Sequence, residues 1–257
     1  LRQDRNVTSA IPARTAVLLP GTGSDEVFVR AVFGDPLSGI GVRLVTPGIP
    51  RDAELAEGYL AALDAVAAET DTPIVVGGIS FGAHLAAEWA VAHPGRCAGL
   101  LAALPAWNSS PGSAPASLAA TLSADLVARD GLEAALAGSV ADVPPWLAEE
   151  LSRAWRRHGD GLAGRLRAAA RRPAPSLAAL SGLRVPAGVA TCVDDPIHPT
   201  KVAHEWASAL PMSSIGETTL TALGTDFASL GRATVLAWLR AVRQNRLSGP
   251  FVVRKVH

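Results

Sequence analysis

The sequence predicts an α/β fold, a mostly parallel sheet with helices on both faces, on three observations. Short apolar runs alternate with helical patterns between residues 14 and 106. The alternation resumes at residue 185, after a long interruption without a convincing strand. Of the 257 residues, 49% are hydrophobic, enough to fill a large core.

Each element follows from its local pattern. Residues 14–19, RTAVLL, read as a buried strand closed by PGTGS, and residues 42–46, VRLVT, as a second closed by PGIPRD. The next stretch, DAELAEGYLAALDAVAAE, places Leu55, Tyr59, Leu63 and Val66 at helical spacing, with Asp52 as its N-cap. TPIVVGGIS is a third strand, and GAHLAAEWAVAHP is a helix stopped by Pro94. CAGLLAALPA and VPAGVATCV are strands, HPTKVAHEWASALP a helix, GETTLTAL a strand, and DFASLGRATVLAWLRAVRQ a final helix. The chain thus divides into a core of residues 1–106 and 184–245, a helical insertion at 107–183 and a tail at 246–257. The insertion is rich in arginine, with Arg153, Arg156, Arg157, Arg165, Arg167, Arg171 and Arg172. Such a run reads either as an anion site or as an ordinary solvated helix face. Trp146 and Trp155 are expected to pack its helices together.

Composition narrows the function classes. The formal net charge is zero, which argues against a general attraction to nucleic acid or an anionic membrane. No apolar run approaches the length of a membrane span, and the N-terminal stretch lacks a signal-type apolar segment, so a cytoplasmic location is the expectation. The two cysteines, Cys97 and Cys192, fall in or beside strand-like runs and read as buried thiols. No Cys/His cluster has metal-ligand spacing, so neither metal nor cofactor is expected.

The most informative stretch is GGISFGAH, residues 77–84. A strand, G-x-S-x-G and a helix form the arrangement of a nucleophile elbow. The flanking glycines, Gly78 and Gly82, admit a turn too tight for side chains. Ser80 is thereby lifted to the C-terminal edge of the sheet, with a helix N-terminus pointing at it. On these residues, with LLPGTGS early and VDDPIHP late, residues 14–242 resemble the α/β-hydrolase superfamily, the insertion standing where that family has its variable cap. The resemblance implies Ser80 as nucleophile, the backbone N–H groups of Phe81 and Thr22 as oxyanion donors, and Asp195 as the acid, with Asp194 the neighbouring alternative.

The resemblance also implies a histidine between the last strand and the last helix. That loop reads LGTDFASLG, with Thr225 and Asp226 at the place of the base and no histidine. His198, on the acid loop, is the best substitute if the loop folds back onto Ser80. His84, His93, His158 and His204 are expected to serve packing, capping or surface roles, and His257 is the chain's last residue. The resemblance therefore implies a hydrolase-like protein acting on a small acyl or carbonyl compound, an ester, thioester or ketone, through a Ser80 acyl-enzyme. The alternative is an altered relative, a non-hydrolytic enzyme or ligand-binding module, that lacks a complete triad.

Overall fold

The computed structural model describes residues 11–51 and 54–248. Among these residues six strands form one sheet: β1 (Thr15–Leu19), β2 (Arg43–Val45), β3 (Ile74–Ile79), β4 (Cys97–Ala103), β5 (Ala187–Cys192) and β6 (Ser213–Thr218). Their order is β2-β1-β3-β4-β5-β6, and every neighbouring pair is parallel. All strand C-termini therefore meet at one edge. The chain winds outward from β1 to β2, then crosses back to place β3 on the other side of β1. The switch point between β1 and β3 opens a crevice at that edge, the usual ligand position in open α/β sheets.

Helices cover both faces. On one lie α1 (Glu26–Ser38) and α11 (Ala228–Ser248), whose Val29, Phe33, Leu230 and Trp238 join Leu18, Val75 and Leu101 in a buried cluster. On the other lie α2 (Leu55–Ala68), α3 (Phe81–Ala92) and α9 (Thr200–Ala209), with Tyr59, Leu63, Leu85 and Trp206 against Val17, Val76 and Leu100. Strands β3 and β5 are buried along their whole length, as expected for a sheet covered on both sides. Between β4 and β5 the insertion folds as α4 (Pro115–Asp130), α5 (Leu132–Ser139), α6 (Pro145–His158), α7 (Leu162–Arg171) and α8 (Leu177–Ser181). It has its own small core of Ala124, Ala135, Leu136, Trp155, Leu162 and Leu166.

Several expectations need adjusting. The pattern assigns no element to residues 24–41, yet α1 forms there, capped by Asp25, whose side chain accepts the Val27 and Phe28 amides. Gly34 and Pro36 inside the segment disguise it. Pro36 lacks the N–H that would bond the Val32 carbonyl, and Gly231 of α11 comes against that same oxygen, where a Cβ could not fit. The strand expected at 97–106 stops at Ala103, because Leu104 takes a positive φ of 52°. The strand expected at 216–223 is shifted: β6 starts at Ser213, and Leu220–Thr225 forms the short helix α10. Thr219 ends the strand by capping that helix, its hydroxyl accepting the Ala222 amide at 3.0 Å. Helix α11 continues to Ser248, into the expected tail. Asp52, His257 and the rest of the tail lie outside the described residues. Among the described residues, no helix is long and apolar enough to cross a membrane.

Candidate active site

Strand β3 ends at Ile79 and α3 begins at Phe81, leaving one residue for the reversal. That residue is Ser80, at φ 54° and ψ −116°, a conformation that side chains other than glycine rarely adopt. Its neighbours explain how the strain is held. A Cβ on Gly78 would lie 2.5 Å from the Leu19 carbonyl oxygen, and one on Gly82 would fall on the same oxygen. The elbow is therefore wedged against the end of β1. The Ser80 amide donates to the Ala103 carbonyl at 2.8 Å, and the Ser80 carbonyl accepts from Ala83 and His84, fixing the turn on both sides.

The loop after β5 supplies the partner. His198 Nε2 lies 2.9 Å from Ser80 Oγ, and His198 Nδ1 lies 2.8 Å from Asp195 Oδ2. The carboxylate accepts at Nδ1, so that nitrogen carries the proton and the Nε2 lone pair faces the serine hydroxyl. The loop folds back for a local reason. Pro196 has no amide hydrogen, so Asp195 Oδ1 turns to the next two donors, the amides of Ile197 at 2.7 Å and His198 at 3.1 Å. That turn brings the imidazole, three residues on, to the other carboxylate oxygen. Burial pushes the Asp195 carboxyl up, but the His198 hydrogen bond, the His198 ring and the two amides outweigh it and hold the group below its ordinary value. It is a carboxylate at neutral pH.

Residues 20–24 run beside the serine. A Cβ on Gly21 would lie 3.5 Å from Ser80 Cβ, and the segment turns through Gly23 at φ 68°, with the Ser24 amide on the Gly21 carbonyl at 3.1 Å. The amides of Thr22 and Phe81 have no acceptor among the described residues. Behind the elbow, His84 is fully buried. Its Nε2 accepts the Ala106 amide at 3.0 Å, and its ring packs edge-on to Trp107 and stacks on Trp206. Desolvation, helped by the neighbouring His198 ring, lowers its pKa to about 3, so it is a neutral strut for the segment after β4.

The remaining candidates serve other ends. Thr225 donates to the Thr221 carbonyl inside α10. Asp226 caps α11 through the Ala228 amide and pairs with Arg232, and the Arg232 hydrogen bond lowers its pKa, the wrong direction for a base. Asp194 accepts the Leu220 amide at 2.6 Å and ties the acid loop to α10, leaving the imidazole to Asp195. His93 stacks on Trp89, His204 pairs with Glu217 at the surface, and buried His158 donates from Nε2 to the Ser24 carbonyl at 3.0 Å. Trp155 packs inside the insertion and against Gly23, and Trp146 against Gly224 and Phe227. Most of the insertion's arginines are paired: Arg153 and Arg157 with Asp25, Arg156 with Glu133, Arg167 with Asp125, Arg172 with Glu57 and Glu88. Cys97 and Cys192 are free and buried, their thiols pushed up to about 12 by desolvation. Among the described residues no three His, Cys, Asp or Glu side chains group as a metal site.

The sequence signal for His198 was present in Asp-Pro-Ile-His. An aspartate before proline turns back on the amides two and three residues on, and so presents a side chain at the third position to its own carboxylate.

No protein-family model and no curated protein matches the chain. Solved structures do. A thermophilic esterase from Thermogutta terrifontis superposes with a TM-score of 0.70 at 20% identity, covering 90% of each chain. MenH from S. aureus superposes at 0.69 with 14% identity, over 90% of this chain and 94% of its own. The enol-lactonase from Burkholderia xenovorans LB400 gives 0.65 at 16% identity, over 89% and 92%. The protein has the α/β-hydrolase fold.

Proposed function

We propose that the protein is a serine hydrolase that transfers the acyl group of a small ester or thioester to water through Ser80. The observation that carries this reading is the unbroken hydrogen-bonded line from Ser80 Oγ through the His198 ring to Asp195. Ser80 Oγ attacks the acyl carbon as its proton passes to His198 Nε2, and Asp195 stabilises the imidazolium. The tetrahedral oxyanion forms beside the Phe81 and Thr22 amides. Donors of this kind are worth about 10²–10³ each in rate. Collapse expels the alcohol or thiol, which takes the proton from Nε2. Water then attacks the acyl-enzyme, gives its proton to the same nitrogen, and releases the acid as Ser80 recovers its hydrogen. The insertion, packed on the loops after β1 and β6, acts as the cap that shapes the acyl pocket. The fold of the esterase and the lactonase supports hydrolysis as the reaction class.

A binding module without acyl transfer requires a serine without a base, and the His198 contact counts against it. A fluorophosphonate probe separates the two. Wild type is expected to label at Ser80, with labelling abolished in S80A and slowed at least a hundredfold in H198A. Absence of labelling, with ester turnover unchanged in S80A, rejects the proposal.

A further inference from the structure

Beside residues 20–24 lies a cavity of about 350 Å³, lined by Gly48, Ile49, Arg51, Arg157, His158 and Arg165. It sits at the same sheet edge as Ser80, between the loop after β2 and the insertion. Its wall touches the segment that flanks the serine: Gly21 abuts Ser80, and Ser24 binds the His158 ring.

The cations of this cavity are not all neutralised. Arg157 shares Asp25 and Glu26, whereas Arg165 meets no carboxylate among the described residues. Its guanidinium is held by two carbonyl oxygens, those of His158 and Pro50, each at 3.0 Å. It lies over Gly161, where a Cβ would come within 2.9 Å of Nη1. Two backbone acceptors and a glycine thus fix a cation that keeps its charge for something else. Arg51 adds a second cation without a carboxylate partner among the described residues. Buried polar atoms around the cavity are also left over. Among the described residues, Tyr59, 1% exposed, has no partner at its hydroxyl, and two acceptors are also left over, His158 Nδ1, whose ring donates from Nε2, and Glu26 Oε2 near Gly48. The Tyr59 hydroxyl feels Glu26, Arg165, Asp25 and Arg157, which places it in the same neighbourhood. A buried polar atom without a partner costs free energy unless a ligand or water meets it, and the Tyr59 hydroxyl is the leftover donor near the preset guanidinium.

We infer that this cavity binds a small anionic group, a carboxylate or a phosphate, with Arg165 and Arg51 as its counter-charges and the Tyr59 hydroxyl as a neutral donor. The anion has two possible sources. It is either the far end of the acyl substrate, which rests on the proposed hydrolysis at Ser80, or a free anion held by Arg165 and Arg51 beside residues 20–24. The volume suits a compact group, at the small end of ligand sites.

Two measurements on the full chain decide it. Inorganic phosphate and glutarate are titrated by calorimetry into wild type, R165M and Y59F. Wild type is expected to bind at least one of them, with affinity at least tenfold weaker in R165M and several-fold weaker in Y59F, which breaks no protein hydrogen bond. Two p-nitrophenyl esters of equal length, one ending in a carboxylate and one in a methyl group, are compared for kcat/KM. A charged-to-neutral ratio that falls at least tenfold in R165M, but not in R167M, assigns the site to the substrate. An unchanged ratio with phosphate binding lost in R165M assigns it to a free anion. Wild type that binds neither anion and shows no ratio change overturns the inference. Turnover absent from both esters, with anion binding intact, removes the hydrolase reading and leaves the anion site. Circular dichroism of R165M and Y59F confirms that each is folded.

Discussion

Ser80 holds its hydroxyl 2.9 Å from one imidazole, so its chemistry depends on that ring's tautomer. Asp195→Asn tests this directly. The asparagine carbonyl can still accept the Ile197 and His198 amides, but its NH₂ now faces Nδ1 and forces the proton onto Nε2, opposite the serine hydroxyl. Esterase kcat/KM is expected to fall by about 10⁴ with little change in unfolding midpoint. S80A is expected to lose on the order of 10⁴–10⁶ in kcat, measured with a p-nitrophenyl ester. His84 sets a different behaviour. Its pKa lies below the ordinary 6.5, at about 3, so the unfolded chain binds its proton first. Stability is full above pH 6.5 and falls as pH drops toward 3, with a slope approaching about 1.4 kcal/mol per unit. Burial lowers His158 too, which steepens the upper part of that window. Asp25 and Asp195, both lowered, add their losses only below the carboxylate reference of 3.8. Urea unfolding between pH 7 and 5 should show the slope, and His84→Gln, which keeps an acceptor for Ala106, should flatten it. The turn at Ser80 was legible because a strained serine needs small neighbours, and glycines print in a sequence. His198 was legible as the candidate base from its place on the acid loop, but its approach to Ser80 was not, because that depends on which amides a carboxylate captures once a proline has removed one of them.

Elements were legible where burial is two-sided or amphipathic. Strand β3 and helices α2, α3 and α11 carry periodic apolar positions and stood out. Helix α1 did not, since its register is set by the Asp25 cap and by contact with α11 rather than by good helix formers. The Gly231–Val32 contact makes that concrete. Gly231→Ala places a methyl on the Val32 carbonyl and must push α11 from α1. The expected cost is about 1–3 kcal/mol, read from the denaturation midpoint. The same substitution at Gly95, whose Cβ would meet nothing within 4 Å, is the control. The shift of β6 has a related origin: Thr-Thr-Leu-Thr favours either state, and capping by Thr219 decides it.

At the scale of the whole molecule, the insertion and the sheet are joined by a few charged contacts. Asp25, fully buried, caps α1 and takes the Arg153 guanidinium of α6 at 2.7 Å. Burial raises the Asp25 carboxyl, and Arg153, the Phe28 amide and Arg157 together bring it below its ordinary value. Arg153→Met leaves a buried carboxylate with only Arg157, at 3.4 Å, as counter-ion. Its cost should sit at the low end of about 3–5 kcal/mol, with faster proteolytic cutting between residues 107 and 183. That residues 107–183 lack strands was plain from the sequence, but how their helices dock was not, because ion pairs across 128 residues leave no local pattern. The loop after β5 has a further consequence. The proposed relay hangs from two stretches of chain instead of three, since Asp195 and His198 travel together on one loop. Drift of β6 and α10 reaches the loop through the Leu220 amide on Asp194 and the Val193 amide on the Thr218 carbonyl, so it carries carboxylate and imidazole together and alters their approach to Ser80 rather than their own separation.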